Sequence, residues 1–63
     1  MSTITITFKD GIEKNGKGWA RYQDYGDEPR LVYSGGFAIV CWRNGKRVAY
    51  PAQDIEKVEE VER

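Results

Sequence analysis

The sequence has no histidine, one cysteine, two prolines and no net charge. A single cysteine rules out an intramolecular disulfide, and without histidine a Cys/His zinc site cannot be assembled. Cys41 has no imidazole to activate it, so a catalytic thiol is not expected. Ten basic residues balance ten acidic ones, whereas a nucleic-acid-binding domain ordinarily carries a basic excess or a strongly basic face. No apolar run approaches the roughly 20 residues of a membrane span. The opening Met-Ser-Thr-Ile-Thr lacks the charged region and long apolar stretch of a signal peptide. A cytoplasmic protein without membrane contact is the expectation.

Sixty-three residues make one domain, residues 1–63, near the lower limit for independent folding. A chain of this size hides only about 60% of the surface its unfolded form exposes, so the core is one layer deep. With disulfide and zinc removed, self-association is the compensation left open.

What is present is β-pattern. In residues 3–8, Ile4, Ile6 and Phe8 alternate with Thr3, Thr5 and Thr7, the period of a half-buried strand. Lys9-Asp10-Gly11 fits a three-residue hairpin loop, which would set Phe8 opposite Ile12. Two glycines in residues 14–18 interrupt or end the next strand. Residues 19–25, WARYQDY, read as an aromatic-rich strand, residues 26–29 as a turn, residues 30–33 as a short strand, and Ser34-Gly35-Gly36 as a break.

Residues 37–50 form the clearest element, two apolar runs around Asn44-Gly45. Asn-Gly favours a two-residue type I′ loop, which pairs Arg43 with Lys46, Trp42 with Arg47, Cys41 with Val48 and Ile39 with Tyr50. One face then carries Phe37, Ile39, Cys41, Val48 and Tyr50, and is the expected core. The other carries Ala38, Val40, Trp42, Arg47 and Ala49, leaving a strand that is apolar on both sides. Pro51 turns the chain and Asp54 is placed to cap a helical turn. In residues 55–63, Ile55, Val58 and Val61 recur every three residues, which suits a helix; their β-branching suits a final strand, and the strand is preferred.

Two constellations could carry a site. Trp42 and Arg47, with Val40 on the same face, form the first: tryptophan and arginine are enriched at interface hot spots, and a guanidinium over an indole is worth about 0.5–1 kcal/mol when exposed. Coverage within the fold, a homodimer interface and a partner site remain open for that face. Trp19, Arg21, Tyr22, Tyr25 and Tyr33 form the second. Aromatics interleaved with arginine can stack unpaired bases, and Arg43, Lys46 and Arg47 would extend such a surface. The plainer reading is that amphipathic side chains fill a thin core and leave their polar tips wet. Asp24, Asp27 and Glu28 lack the ligand spacing of a calcium loop and read as a solvated turn. Glu56, Glu59, Glu60 and Glu62 read as a charged edge that discourages sheet-to-sheet aggregation. No metal, cofactor or catalytic residue is expected.

The glycine-led apolar strand, Asn-Gly hairpin, Tyr-Pro turn and closing DIEKVEEV in residues 36–61 resemble the end of small SH3-like and Sm-like barrels, in pattern only. The resemblance implies a short helical turn between the last two strands. The RNA-binding signature of Sm-like proteins is absent. The opening TITITFKDG and the later GGFAIV and YPAQDI runs are similar to short β-rich accessory proteins encoded by bacteriophages, which implies a non-enzymatic role that binds a host factor.

These readings converge on an all-β fold of about five short antiparallel strands, a small SH3-like barrel or strongly bent sheet. The expected function is a protein-binding accessory module using Trp42, Arg47, Val40, Trp19, Tyr22 and Tyr25. The alternatives are single-stranded nucleic-acid binding through Arg21, Arg43, Lys46 and Arg47 with the same aromatics, and a structural homodimer subunit.

Overall fold

The strict alternation of the first strand dictates what it buries. A computed structural model describes residues 2–62, and in it β1 (Ser2–Phe8) sends Ile4, Ile6 and Phe8 into the core and the three threonines to the opposite face. Arg63, the last residue of the predicted tail, and Met1 lie outside the described residues. β1 is the central strand of an antiparallel sheet, flanked by β2 (Trp19–Gln23) and β6 (Ile55–Glu62). A second antiparallel sheet is built from β3 (Arg30–Ser34), β4 (Phe37–Cys41) and β5 (Arg47–Pro51), with β4 in the middle. The fold is therefore all-β as expected, with six strands in place of five. Of the two expected forms, a small barrel or a strongly bent sheet, a closed barrel is not found among the described residues: the two sheets share no strand and pack face to face.

Several local expectations change. Lys9-Asp10-Gly11 does turn the chain, with the Ile12 amide donating to the Lys9 carbonyl at 2.9 Å. Pairing does not resume at Ile12, however. The Phe8 amide donates to the Gly18 carbonyl, and Thr7 pairs with Trp19. Residues 9–18 are thus one long connection, whose tip is a small hairpin closed by the Lys14–Lys17 bridge around Asn15-Gly16. An ion pair from Lys14 to Asp54, 3.2 Å long, ties this tip to the opposite end of the chain. Asp54 ends a 3-10 turn (Ala52–Asp54) and does not cap it; the N-terminal capping position is Pro51, which supplies no side-chain bond. Residues 55–62 are strand, as preferred, and the helical alternative is not found among the described residues.

The largest correction is a register. β4 pairs with β5 as Cys41 with Arg47, Val40 with Val48, Ile39 with Ala49 and Ala38 with Tyr50, one residue away from the expected pairing. The loop has three residues, not two. The Gly45 amide donates to the Trp42 carbonyl at 3.0 Å, closing a tight turn through Arg43 and Asn44, and the Trp42 amide donates to the Lys46 carbonyl at 2.9 Å. Within this loop only Gly45 has positive φ, at 92°, whereas a type I′ turn would demand it of Asn44 as well. Its side chain instead accepts a bond from the Lys46 amide at 3.0 Å. The two-residue loop is found at Gly35-Gly36, with φ of 58° and 81°, joining Ser34 to its partner Phe37.

A one-residue slip exchanges the faces of a strand. Ala38 and Val40 are fully buried, with Trp42 packed on the core. Phe37, Ile39 and Cys41, expected inside, face away from it. The inner face of the second sheet consists of two rows across its strands, Leu31–Val40–Val48 and Tyr33–Ala38–Tyr50. Small residues on β4 let the sheets approach, and Ile4, Ile6 and Phe8 fill the space between. Phe8 meets Tyr50 edge-on at 5.2 Å, and Trp42 meets Tyr22 edge-on at 5.3 Å.

This packing predicts opposite outcomes for neighbouring aromatics. Trp42→Ala should cost about 3–5 kcal/mol in a denaturant melt, the scale of truncating a packed aromatic. Phe37→Ser should cost about 1 kcal/mol or less, since surface changes are usually mild. The reverse order would restore the two-residue loop.

Candidate functional site

The inner faces are given to the core, except at Tyr33, which ends its row and stays 64% exposed; the larger free surfaces are the outer faces. That of the second sheet has three rows across β3, β4 and β5: Ser34–Phe37–Pro51, Val32–Ile39–Ala49 and Arg30–Cys41–Arg47. The first two are apolar, apart from Ser34. Phe37 is 45% exposed and Val32 46%, Ala49 is exposed, and Ile39 and Pro51 are half-buried. The third row sets an arginine on each side of Cys41, and Arg43 follows in the adjoining loop. Glu28 reaches Arg30 at 3.8 Å and Arg43 at 3.6 Å; such long, exposed pairs contribute little and leave both cations open to other partners. Arg47 has no ion pair among the described residues. The face is therefore greasy at one end and cationic at the other.

The expected site residues are dispersed by this arrangement. Val40 is in the core and offers no surface to a partner. Trp42 packs inward on Tyr22 and the core cluster. Arg47 is on the opposite side of the sheet from Trp42, so the pairing of the two does not exist. The cation over the Trp42 ring is Lys46, 5.1 Å from its centroid. Sequence reasoning missed Phe37 and Ile39 because it took the outer side of β4 for the inner one, and missed Arg30 and Val32 because it assigned no face to the short strand they occupy.

The second constellation is also divided. Trp19, Arg21 and Gln23 lie on the outer face of β2, opposite Thr7, Thr5 and Thr3 respectively. Tyr25, 78% exposed, folds back so that its hydroxyl donates to the Gln23 side-chain carbonyl. Tyr22 turns inward, and Tyr33 belongs to the other sheet. The carboxylates of the following turn serve the backbone. Asp24 accepts from the amides of Gly26 at 2.8 Å and Glu28 at 3.2 Å, and Asp27 accepts from that of Tyr25 at 3.4 Å. No cluster of acidic residues or Cys41 suited to a metal ion occurs among the described residues.

The Tyr22 hydroxyl is hydrogen-bonded to that of Tyr50. Burial first, and then the contact with Tyr50, push the Tyr22 phenol well above its ordinary value of 10.0. The bond links β2 of the first sheet to β5 of the second.

No family model, no curated protein and no solved structure matches this chain. No helix among the described residues is long and apolar enough to cross a membrane.

The Tyr22 shift carries a pH dependence. The folded state holds this proton more tightly than the unfolded chain does. Its contribution is therefore complete below about pH 10, the unfolded value, and is lost as pH rises beyond it. Urea midpoints of the wild type should fall across that range, and those of Tyr22→Phe, which has no proton to lose there, should fall less. Equal slopes would remove Tyr22 as the cause.

Proposed function

We propose that this protein is a non-enzymatic binding module that recognises another protein through the outer face of β3, β4 and β5. The observation that carries the reading is the run of two apolar rows beside a row of arginines, uncovered by any other part of the described chain. Hydrophobic residues that could have been placed inside are left outside, and contiguous exposed apolar surface commonly marks an interaction site. Phe37 is the aromatic anchor, Val32 and Ile39 extend the contact, and Arg30 and Arg47 select the charge of the partner.

The chemistry favours a partner with an apolar patch bordered by carboxylates. A second copy stacked on the same face would match the apolar rows but would bring two sets of arginines onto one patch, which disfavours a homodimer at this surface. The partner in this proposal is a bacterial host factor, a reading supported by the pattern resemblance to bacteriophage accessory proteins. A 3-10 turn before a last strand that returns to pair with β1 supports an opened variant of the SH3-like plan.

Immobilised protein incubated with bacterial lysate should retain a partner. The double variant Val32→Ser/Phe37→Ser, shown by its melt to be folded, should lose that partner while Trp19→Ala keeps it. Retention undiminished in the double variant, or no retained protein at all, would count against the outer face as the interface.

A further inference from the structure

We propose that the outer face of β2 is a second and separate binding site, and that its ligand is single-stranded nucleic acid. Its parts lie in a line. Lys17 precedes the strand, Trp19 and Arg21 follow on one face, and Tyr25 folds back over Gln23 at the far end. The Lys17 ammonium is 5.0 Å from the centroid of the Trp19 ring and the Arg21 guanidinium 5.2 Å. One indole therefore gathers two cations, while 45% of the tryptophan remains exposed. Arg21 also donates through Nε to the Thr5 hydroxyl at 3.4 Å, which steers its fork along the sheet.

The surroundings suit a phosphate backbone. Thr3, Thr5 and Thr7 present three hydroxyls from the neighbouring strand, and threonine hydroxyls are common phosphate ligands. The residues lining the adjoining groove include Lys14, Lys17, Trp19, Arg21, Tyr22 and Tyr50. The acid on the same sheet face, Glu59, is on the far strand, opposite Thr5, and is paired with Lys57 at 3.4 Å. Lys14 is held by Asp54 at 3.2 Å, which leaves Lys17 and Arg21 as the two cations of this face without an ion pair among the described residues.

Charge alone would equally suit an acidic peptide. The aromatic groups favour nucleic acid, because every unpaired base offers a flat face to an exposed indole or phenol and acidic side chains do not. Two cations without an overall basic excess make this a weak site. Its affinity belongs near about 10⁻⁴–10⁻⁶ M at physiological salt, the range of sequence-independent binding. The site shares no residue with the outer face of the second sheet, so either can fail without the other.

The test is the fluorescence anisotropy of a short labelled oligothymidylate titrated with the intact protein, repeated from about 50 to 200 mM salt. Two phosphate contacts give a slope of log affinity against log salt near about −1.4, at about −0.7 per contact on single strands. Lys17→Ala and Arg21→Ala should each reduce that slope by about half. Trp19→Ala should weaken binding about tenfold, the usual worth of one stacked base. Lys17 lies in an exposed loop, so its variant reports on the site even where a change in the strand disturbs folding. Phe37→Ser should leave the titration unaltered. Absence of binding at low salt, slopes unchanged in both cation variants, or displacement by polyglutamate at equal concentration would overturn the proposal, the last by making the ligand an acidic peptide.

Discussion

Gly45, held at φ 92°, fixes how β4 lies against β5, and the distribution of every side chain on the second sheet follows from it. A glycine in the left-handed conformation after a tight turn adds one residue to the loop relative to a type I′ hairpin. The addition moves the pairing by one and exchanges the two sides of β4 relative to β5. The neighbouring hairpin agrees with that choice. Its Gly35-Gly36 loop sets Leu31 beside Val40, which stands beside Val48, so three aliphatic residues form one uninterrupted row facing β1. With Asn44-Gly45 as a two-residue loop, Val48 and Tyr50 would share a side with Ile39 and Cys41, and Leu31 would be separated from Val48 by the sheet itself.

The same constraint explains why so short a chain exposes apolar surface. Two three-stranded sheets have four faces, and a one-layer core covers only two of them. The outer face of the first sheet is mixed: its threonines and charged residues surround two separate exposed apolar side chains, Trp19 and Val61. The outer face of the second keeps Val32, Phe37 and Ile39, at a cost in solubility that an interface would justify. Edges are managed differently: β6 carries a carboxylate at most exposed positions, which discourages strand addition along that side. Tyr22 and Trp42 meet where β2 lies against the end of β4, and with Tyr50 they clasp the sheets at a margin where no strand pairing joins them.

How far the sequence could be read depends on how many faces of a strand are apolar. β1 alternates strictly between isoleucine or phenylalanine and threonine, so its buried side was legible at once. β4 is apolar on both sides, and its burial then depends on loop geometry that Asn-Gly does not decide by itself. The polar tip at Asn15-Gly16 was legible as an interruption, but not as a small hairpin within one long connection, because the turn at Gly11 suggested immediate pairing with Ile12. Trp19 and Arg21 were recognised together from their spacing. Trp42 and Arg47 were joined only by the mistaken register, and the same mistake concealed Phe37 and Ile39. The all-β class, the 3-10 turn and the final strand needed only local pattern, which is why they were within reach.

The most direct measurement is the set of cross-strand nuclear Overhauser contacts between β4 and β5 in the wild-type protein. The pairing around Gly45 gives contacts linking Cys41 with Arg47 and Ile39 with Ala49. Contacts linking Cys41 with Val48 and Ile39 with Tyr50 would mean a two-residue loop, would return Phe37 and Ile39 to the core side, and would remove the outer face on which the proposed protein interface rests.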